Sequence, residues 1–203
     1  MRRVTVAAFA VSWCALVPRA ANAADTAEPS HARTAESSGS YAHFFGALAV
    51  GRGLRFNNPY RLATQLGETE QSLSLTASYA DVSAGASFGS PSGFRHGAVA
   101  HLSTALEGIG QEVASLSYVV LHPVGRDVLV LARAGVPLVL RPDPTTGGEL
   151  AAGATWFFSG GLGLSAELVG SLFFGAPTWE RDPSAIPIVS LQVGVWTEYE
   201  VLP

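Results

Sequence analysis

Four side chains stand out because each interrupts a stretch that is otherwise apolar or small: Asp81, His101, Arg133 and Glu167. Two carboxylates, an imidazole and a guanidinium can do two kinds of chemistry. Held together away from water, they can lock one another as ion pairs, or they can pass a proton or an ion through a constriction. His101-Leu102-Ser103 adds an imidazole and a hydroxyl two residues apart, the beginning of an activated nucleophile. A second set suits recognition instead of reaction. Arg55, Tyr60 and Arg61 share one polar segment, and Trp179 and Arg181 share another; exposed Trp and Arg are common anchors of binding surfaces. Other chemistries find no support. The single cysteine, Cys14, lies in a segment expected to be removed, so neither disulfides nor thiol catalysis is expected. The histidines do not cluster at metal spacing. Gly51-Arg52-Gly53 does not lead a strand into a helix as a phosphate loop would, and "RPDPTTGG" holds too few acids for a calcium loop. No cofactor and no metal is expected.

The elements that must position these residues follow from a period of two. In residues 127–141 the even positions are Val128, Val130, Ala132, Ala134, Val136, Leu138 and Leu140, all apolar, while the odd positions mix Asp127, Arg133, Gly135 and Pro137 with leucines and valine. As a helix this stretch would break at Gly135 and Pro137 and is too short to span a bilayer. As a strand it has one apolar face and one mixed face, with Arg133 on the mixed face. Alternation of the same kind marks residues 41–52, 94–106, 113–121, 150–158, 162–174 and 188–201. Residues 73–88 carry Leu73, Leu75, Ala77 and Tyr79 in one phase and Val82, Ala84, Ala86 and Phe88 in the other. One extra residue produces such a flip, so a β-bulge is expected near Ala80-Asp81. That makes eight strands, with no helical pattern between them.

The ends and connectors add the setting. Arg2 and Arg3, an apolar run and Ala21-Asn22-Ala23 read as a cleaved signal peptide over residues 1–23. Residues 24–40 are rich in Ala, Ser, Thr and Glu and read as a flexible periplasmic linker, leaving residues 41–203 for the strands. Cleavage leaves nine arginines of the original twelve against sixteen acids and no lysine, a net charge of −7 with neutral histidines. That balance argues against nucleic acid as a partner. The first, third, fifth and seventh connectors are long on average and the others short, the asymmetry of a membrane barrel with short periplasmic turns and long outer loops. If the apolar face points outward, Phe44, Phe88, Phe94, Phe158 and Tyr199 fall near the periplasmic ends of their strands, as in an interfacial girdle, with Phe174 at the opposite rim.

In these features residues 41–203 resemble the small eight-stranded outer-membrane β-barrels of Gram-negative bacteria. The resemblance is one of pattern. Such barrels commonly end in an aromatic residue that the assembly machinery reads, whereas this chain ends Val201-Leu202-Pro203. It implies an all-β, antiparallel up-and-down transmembrane barrel in the outer membrane, with outer-membrane lipid and the barrel assembly machinery as partners and no enzyme activity. Some outer-membrane lipid A deacylases use a His-x-Ser pair, but late in the chain and followed by asparagine; here Thr104 follows and no orienting acid is evident.

An eight-stranded barrel has a lumen that side chains can fill. On this reading Asp81, His101, Arg133 and Glu167 point inward at similar heights, with Arg133 and Glu167 as a candidate ion pair, acting either as packing polarity that closes the lumen or as the gate of a narrow pore. Glu198, Glu200 and nearby Arg95 are expected as solvated charge at the periplasmic mouth. Pro137 should force a bulge or a lapse in pairing. The role is structural or surface-facing. The alternatives are an adhesin or ligand-binding barrel working through Arg55, Tyr60, Arg61, Trp179 and Arg181 on long outer loops, and a soluble secreted β-barrel or sandwich that binds a ligand. The membrane is favoured by small polar residues on the mixed face, by the connectors, and by a charged fraction of only 14%.

Overall fold

The computed structural model of the chain describes residues 41–56, 64–65, 72–90, 92–174 and 185–201. The expected signal peptide and linker, residues 1–40, lie outside them. Among the described residues ten strands follow in chain order: β1 (Tyr41–Phe56), β2 (Thr64–Gln65), β3 (Ser72–Leu75), β4 (Tyr79–Gly89), β5 (Arg95–Ala105), β6 (Glu112–Val124), β7 (Val128–Arg141), β8 (Thr145–Ser159), β9 (Leu162–Phe174) and β10 (Ala185–Val201). Eight of them, β1 and β4–β10, pair antiparallel with their neighbours in sequence, and β10 pairs back onto β1. The sheet is therefore a closed up-and-down barrel. β3 adds to the far end of β1, and β2 pairs with β3.

Closure carries a defined stagger. Following paired residues once round from Tyr41, through Gly89, Arg95, Leu121, Leu131, Gly153, Glu167 and Gln192, returns to Gly51, ten residues further along β1. Such a stagger tilts the strands to roughly 35–45° from the barrel axis. The base, where β1 begins and β10 ends, has the short turns 125–127 and 160–161; the opposite end is called the rim.

Period two sorts the faces as expected. On β7, Leu129, Leu131, Arg133 and Val139 are buried, while Val130, Ala132, Ala134, Val136, Leu138 and Leu140 are exposed. The same holds round the barrel, so Phe44, Leu102, Leu116, Leu150, Leu168 and Leu191 all point out. Phe88, Phe94, Trp156, Phe158 and Tyr199 surround the base on the outer face, and Phe174 lies at the rim. Packing is inside the barrel. Near the base, Phe45, Val99, Val119, Leu121, Leu129, Leu131 and Trp196 form an apolar layer, with Phe45 stacked on Trp196 at 4.8 Å between ring centroids. A second cluster, Val139, Phe173 and Ile186 with Val113 and Ile188, lies toward the rim.

Three local expectations shift. The extra residue falls at residues 76–78 and not at Ala80-Asp81. The register runs Leu54↔Leu75 but Gly51↔Tyr79, so three steps on β1 face four on the partner. Thr76 holds the break: its N–H donates to Gly53 O at 2.8 Å and its Oγ1 accepts from Gly53 N–H at 2.8 Å. Tyr79 therefore turns inward instead of sharing a face with Leu73 and Leu75. The loop expected at "RPDPTTGG" shrinks to residues 142–144, because β8 starts at Thr145. The two glycines read as loop residues, but a Cβ at Gly147 would strike the Leu172 backbone, so glycine there permits close strand approach. The lapse expected at Pro137 is present: β7–β8 pairing stops after Gly135↔Glu149 and resumes at Leu138↔Thr146. Pro137 has no N–H for β8, and its carbonyl accepts from Thr146 Oγ1 at 3.1 Å.

Candidate functional site

The lumen between the two apolar clusters is polar. β4 and β5 are neighbours, and the inward phase of each delivers Asp81, His101 and Ser103 to one patch. Asp81 accepts from Ser103 Oγ at 2.6 Å and meets His101 Nδ1 at 3.2 Å. Both groups meet on one carboxylate. An ionised Asp81 is an acceptor only, so in a neutral His101 the ring proton sits on Nδ1 and the lone pair on Nε2. That Nε2 is buried without a partner among the described residues.

β7, β8 and β9 supply the second patch. Arg133 Nε donates to Glu167 Oε2 at 3.1 Å, and Arg133 Nη1 donates to Glu149 Oε1. Ser171 Oγ lies 3.4 Å from Glu149 Oε2. Arg133 and Glu167 sit two strands apart. They meet because the β8 residues between them are Ala151, opposite Arg133, and Gly153, opposite Glu167; a Cβ at Gly153 would press on the Glu167 side chain. All four residues singled out from sequence are thus inward and buried, with relative exposures of 4% for Asp81, 8% for His101, 7% for Arg133 and 6% for Glu167. They form two adjacent patches, Asp81–His101 and Arg133–Glu167. Glu149 was missed because its segment reads as a loop. The usable signal was parity, since it shares the odd phase of Ala151, Gly153 and Thr155.

A third polar group closes the base. Arg95 Nη1 and Nη2 donate to the two oxygens of Glu198, the second at 3.4 Å, and His43 Nδ1 stands 2.8 Å from Glu198 Oε1. Arg95 and Glu198 were expected as solvated charge. Arg95 is instead buried, because its strand begins below the Trp196 layer and its side chain lies across the lumen; Glu200 is exposed as expected.

The residues expected on outer loops fare differently. Arg55 is not on a loop: it belongs to β1, in the inward phase, and its Nη2 donates to Gln111 Oε1 at 3.3 Å. Tyr60, Arg61, Trp179 and Arg181 lie outside the described residues. The His-x-Ser pair does have an acid beside it, contrary to the expectation. Yet Ser103 donates to Asp81 and not to His101, and all three face the lumen, away from the surface that acyl chains would touch. Among the described residues no His/Cys/Asp/Glu group has metal-site geometry.

The class defined by pairing and by the inside–outside division is the closed eight-stranded antiparallel β-barrel, its lumen filled by side chains toward the base. No protein-family model and no curated protein matches the sequence. Among solved structures the chain is similar to the N-terminal β-barrel domain of OprF from Pseudomonas aeruginosa, at 13% identity and a TM-score of 0.47 over 78% of this chain and 97% of that one. It is similar also to the neisserial surface protein NspA, at 10% identity and a TM-score of 0.45 over 76% and 97%. A third likeness, at 14% identity and a TM-score of 0.39 over 75% and 95%, is to a de novo designed transmembrane β-barrel.

Proposed function

We propose that the chain is an integral outer-membrane β-barrel, exported by a cleaved signal peptide, with a structural or surface-facing role and a lumen that does not conduct. The observation that carries the reading is the outer face. Between base and rim its exposed residues are apolar or small: Leu48, Val82, Leu116, Val136, Leu150 and Leu168 are each more than half exposed. Charge on that face is confined to the ends, with Arg52, Glu112 and Arg141 toward the rim. A continuous apolar surface of this extent is unfavourable in water and is what a bilayer requires of a barrel. The low charged fraction, 14%, supports the same setting.

Within the lumen, the Phe45–Trp196 layer and the Arg95–Glu198–His43 group lie between the polar centre and the base. This stacking supports a closed plug over a narrow pore. Nothing in the reading calls for an enzyme. The test is fractionation of cells expressing the full chain, followed by gel migration in detergent with and without boiling. Outer-membrane recovery with heat-modifiable migration is expected. Recovery wholly in the soluble periplasm would overturn the reading.

A further inference from the structure

Above the polar centre the lumen widens into a space of about 110 Å³, bordered below by Asp81, His101, Arg133 and Glu149. It adjoins a larger space of about 490 Å³ at the rim. Arg55, Thr76, Gln111, Phe173 and Ile188 line both, so the two are continuous. Their wall is the rim-side apolar cluster of Val139, Phe173 and Ile186, with Val113 and Ile188 against it. An apolar wall over a few convergent polar groups is the usual form of a small-molecule site.

The polar floor is rich in acceptors. Arg133 is engaged by both Glu149 and Glu167, and Asp81, in the adjacent patch, adds a third carboxylate. Among the described residues Asp81 has the Ser103 hydroxyl and His101 Nδ1 as its partners. His101 lines the space at 8% exposure, and its Nε2 has no partner among the described residues. In the neutral ring with its proton on Nδ1, that nitrogen accepts a hydrogen bond and cannot give one. Arg55, the second guanidinium lining the space, lies on its rim side and donates to Gln111. Three carboxylates against the two guanidiniums of Arg133 and Arg55, together with a buried acceptor, select a ligand that brings donors and positive charge.

We propose that this luminal space is a binding site for a small primary ammonium compound with a short apolar body. The ammonium lies among Asp81, Glu149 and His101 Nε2, and the body lies along Val139, Ile186 and Ile188. A volume of about 110 Å³ accepts the head group and little more, being equivalent to roughly three or four waters at ~30 Å³ each. The body therefore extends toward the rim.

The test uses the chain from residue 24 to its end, refolded in detergent micelles, with n-butylammonium, 1-butanol and butyrate as probes of one size. Binding is followed by the ¹⁵N shift of His101 Nε2 and the methyl shifts of Val139, Ile186 and Ile188. Butylammonium is expected to saturate, at least tenfold tighter than butanol, and to move the Nε2 resonance; butyrate should not bind. In Asp81→Asn, with heat-modifiable folding retained, affinity should fall at least tenfold. Should that variant not fold, Glu149→Gln gives the same comparison, and the probe series on the unaltered chain decides without either. Equal binding of butanol, preferential binding of butyrate, or a His101 Nε2 resonance that none of the probes shifts would each overturn the proposal.

Discussion

Replacing Arg133 by leucine is the sharpest perturbation of the lumen. The Arg133 side chain is 4% exposed, between Glu167 at 7% and Glu149 at 12%. Leucine removes the cation and leaves two buried carboxylates, Glu149 on β8 and Glu167 on β9, without it. Breaking a buried ion pair from one side costs about 3–5 kcal/mol, because the surviving charge stays desolvated. With two carboxylates left, the expected loss lies at the upper end of that range. The same principle predicts rescue: replacing all partners by neutral groups of similar shape is close to neutral. Arg133→Leu combined with Glu149→Gln and Glu167→Gln should therefore recover most of the loss. A rim pair supplies the contrast. Arg141 and Glu112 stand 3.7 Å apart with side chains 73% and 43% exposed, and Arg141→Leu should cost at most about 1 kcal/mol. The assay is reversible urea unfolding of the refolded barrel in lipid vesicles, read by tryptophan fluorescence. An Arg133→Leu cost below about 1 kcal/mol, or a triple variant no more stable than the single one, would refute the claim that the lumen holds a buried, mutually dependent charge cluster.

Three further outcomes are expected. Ala134→Arg places a charge on the exposed outer face of β7 and should cost about 2–4 kcal/mol if that face meets hydrocarbon near the midplane; in water the same exposed substitution would stay within about 0.5 kcal/mol, so urea titration separates the two settings. Planar-bilayer recordings should show no conductance from the unaltered chain and none from Arg133→Ala, since the Phe45–Trp196 layer lies below the substitution; channel opening in Arg133→Ala would restore the gate reading. At the rim, the Ser78 N–H and hydroxyl and then Arg52 hold the Glu107 carboxyl below the ordinary carboxylate range. Its stabilising contribution is complete above the unfolded value of about 4.3 and lost as pH falls through the lower folded value. The Ser78 amide shift should titrate with a midpoint below about 4.3 and become flat in Glu107→Gln; a midpoint at or above that value would contradict the bonding.

The faces of the strands were legible because side-chain direction has a period of two and only one face is apolar. Arg133 could be placed inward from the even-numbered run Val128 to Leu140 alone. Boundaries were less legible where the residues carry no hydrophobic contrast. The phase flip between Leu75 and Val82 is visible in the sequence, but Thr76, Ala77, Ser78 and Ala80 suit either face, so the extra residue could not be assigned within that stretch. Glu149 was lost for a related reason. Thr145, Thr146, Gly147 and Gly148 have the composition of a loop, and only their pairing with Leu138, Val139 and the end of β9 shows them to be strand.

Partner choice inside the barrel was legible only in part, and the stagger explains why. Parity says that Arg133 and Glu167 face the lumen; it does not say which inward residues share a level. That depends on closure, which advances by ten residues from Tyr41 to Gly51 around eight strands. Residues at equal counts from the base therefore need not meet. Asp81 and His101 do, because a diagonal across the β4–β5 pair brings them within 3.2 Å. Arg133 reaches past a whole strand to Glu167, and it can because β8 offers only Ala151 and Gly153 in the gap. The small residues of β8 are thus as much a part of the charge cluster as its ions. Gly153→Val should separate Arg133 from Glu167, since the new side chain would occupy the space of the Glu167 stem. It should lower stability by an amount that the additional change Glu167→Ala partly restores. Additive losses in that double variant would mean that Gly153 serves strand packing against Ala166 and not the ion pair.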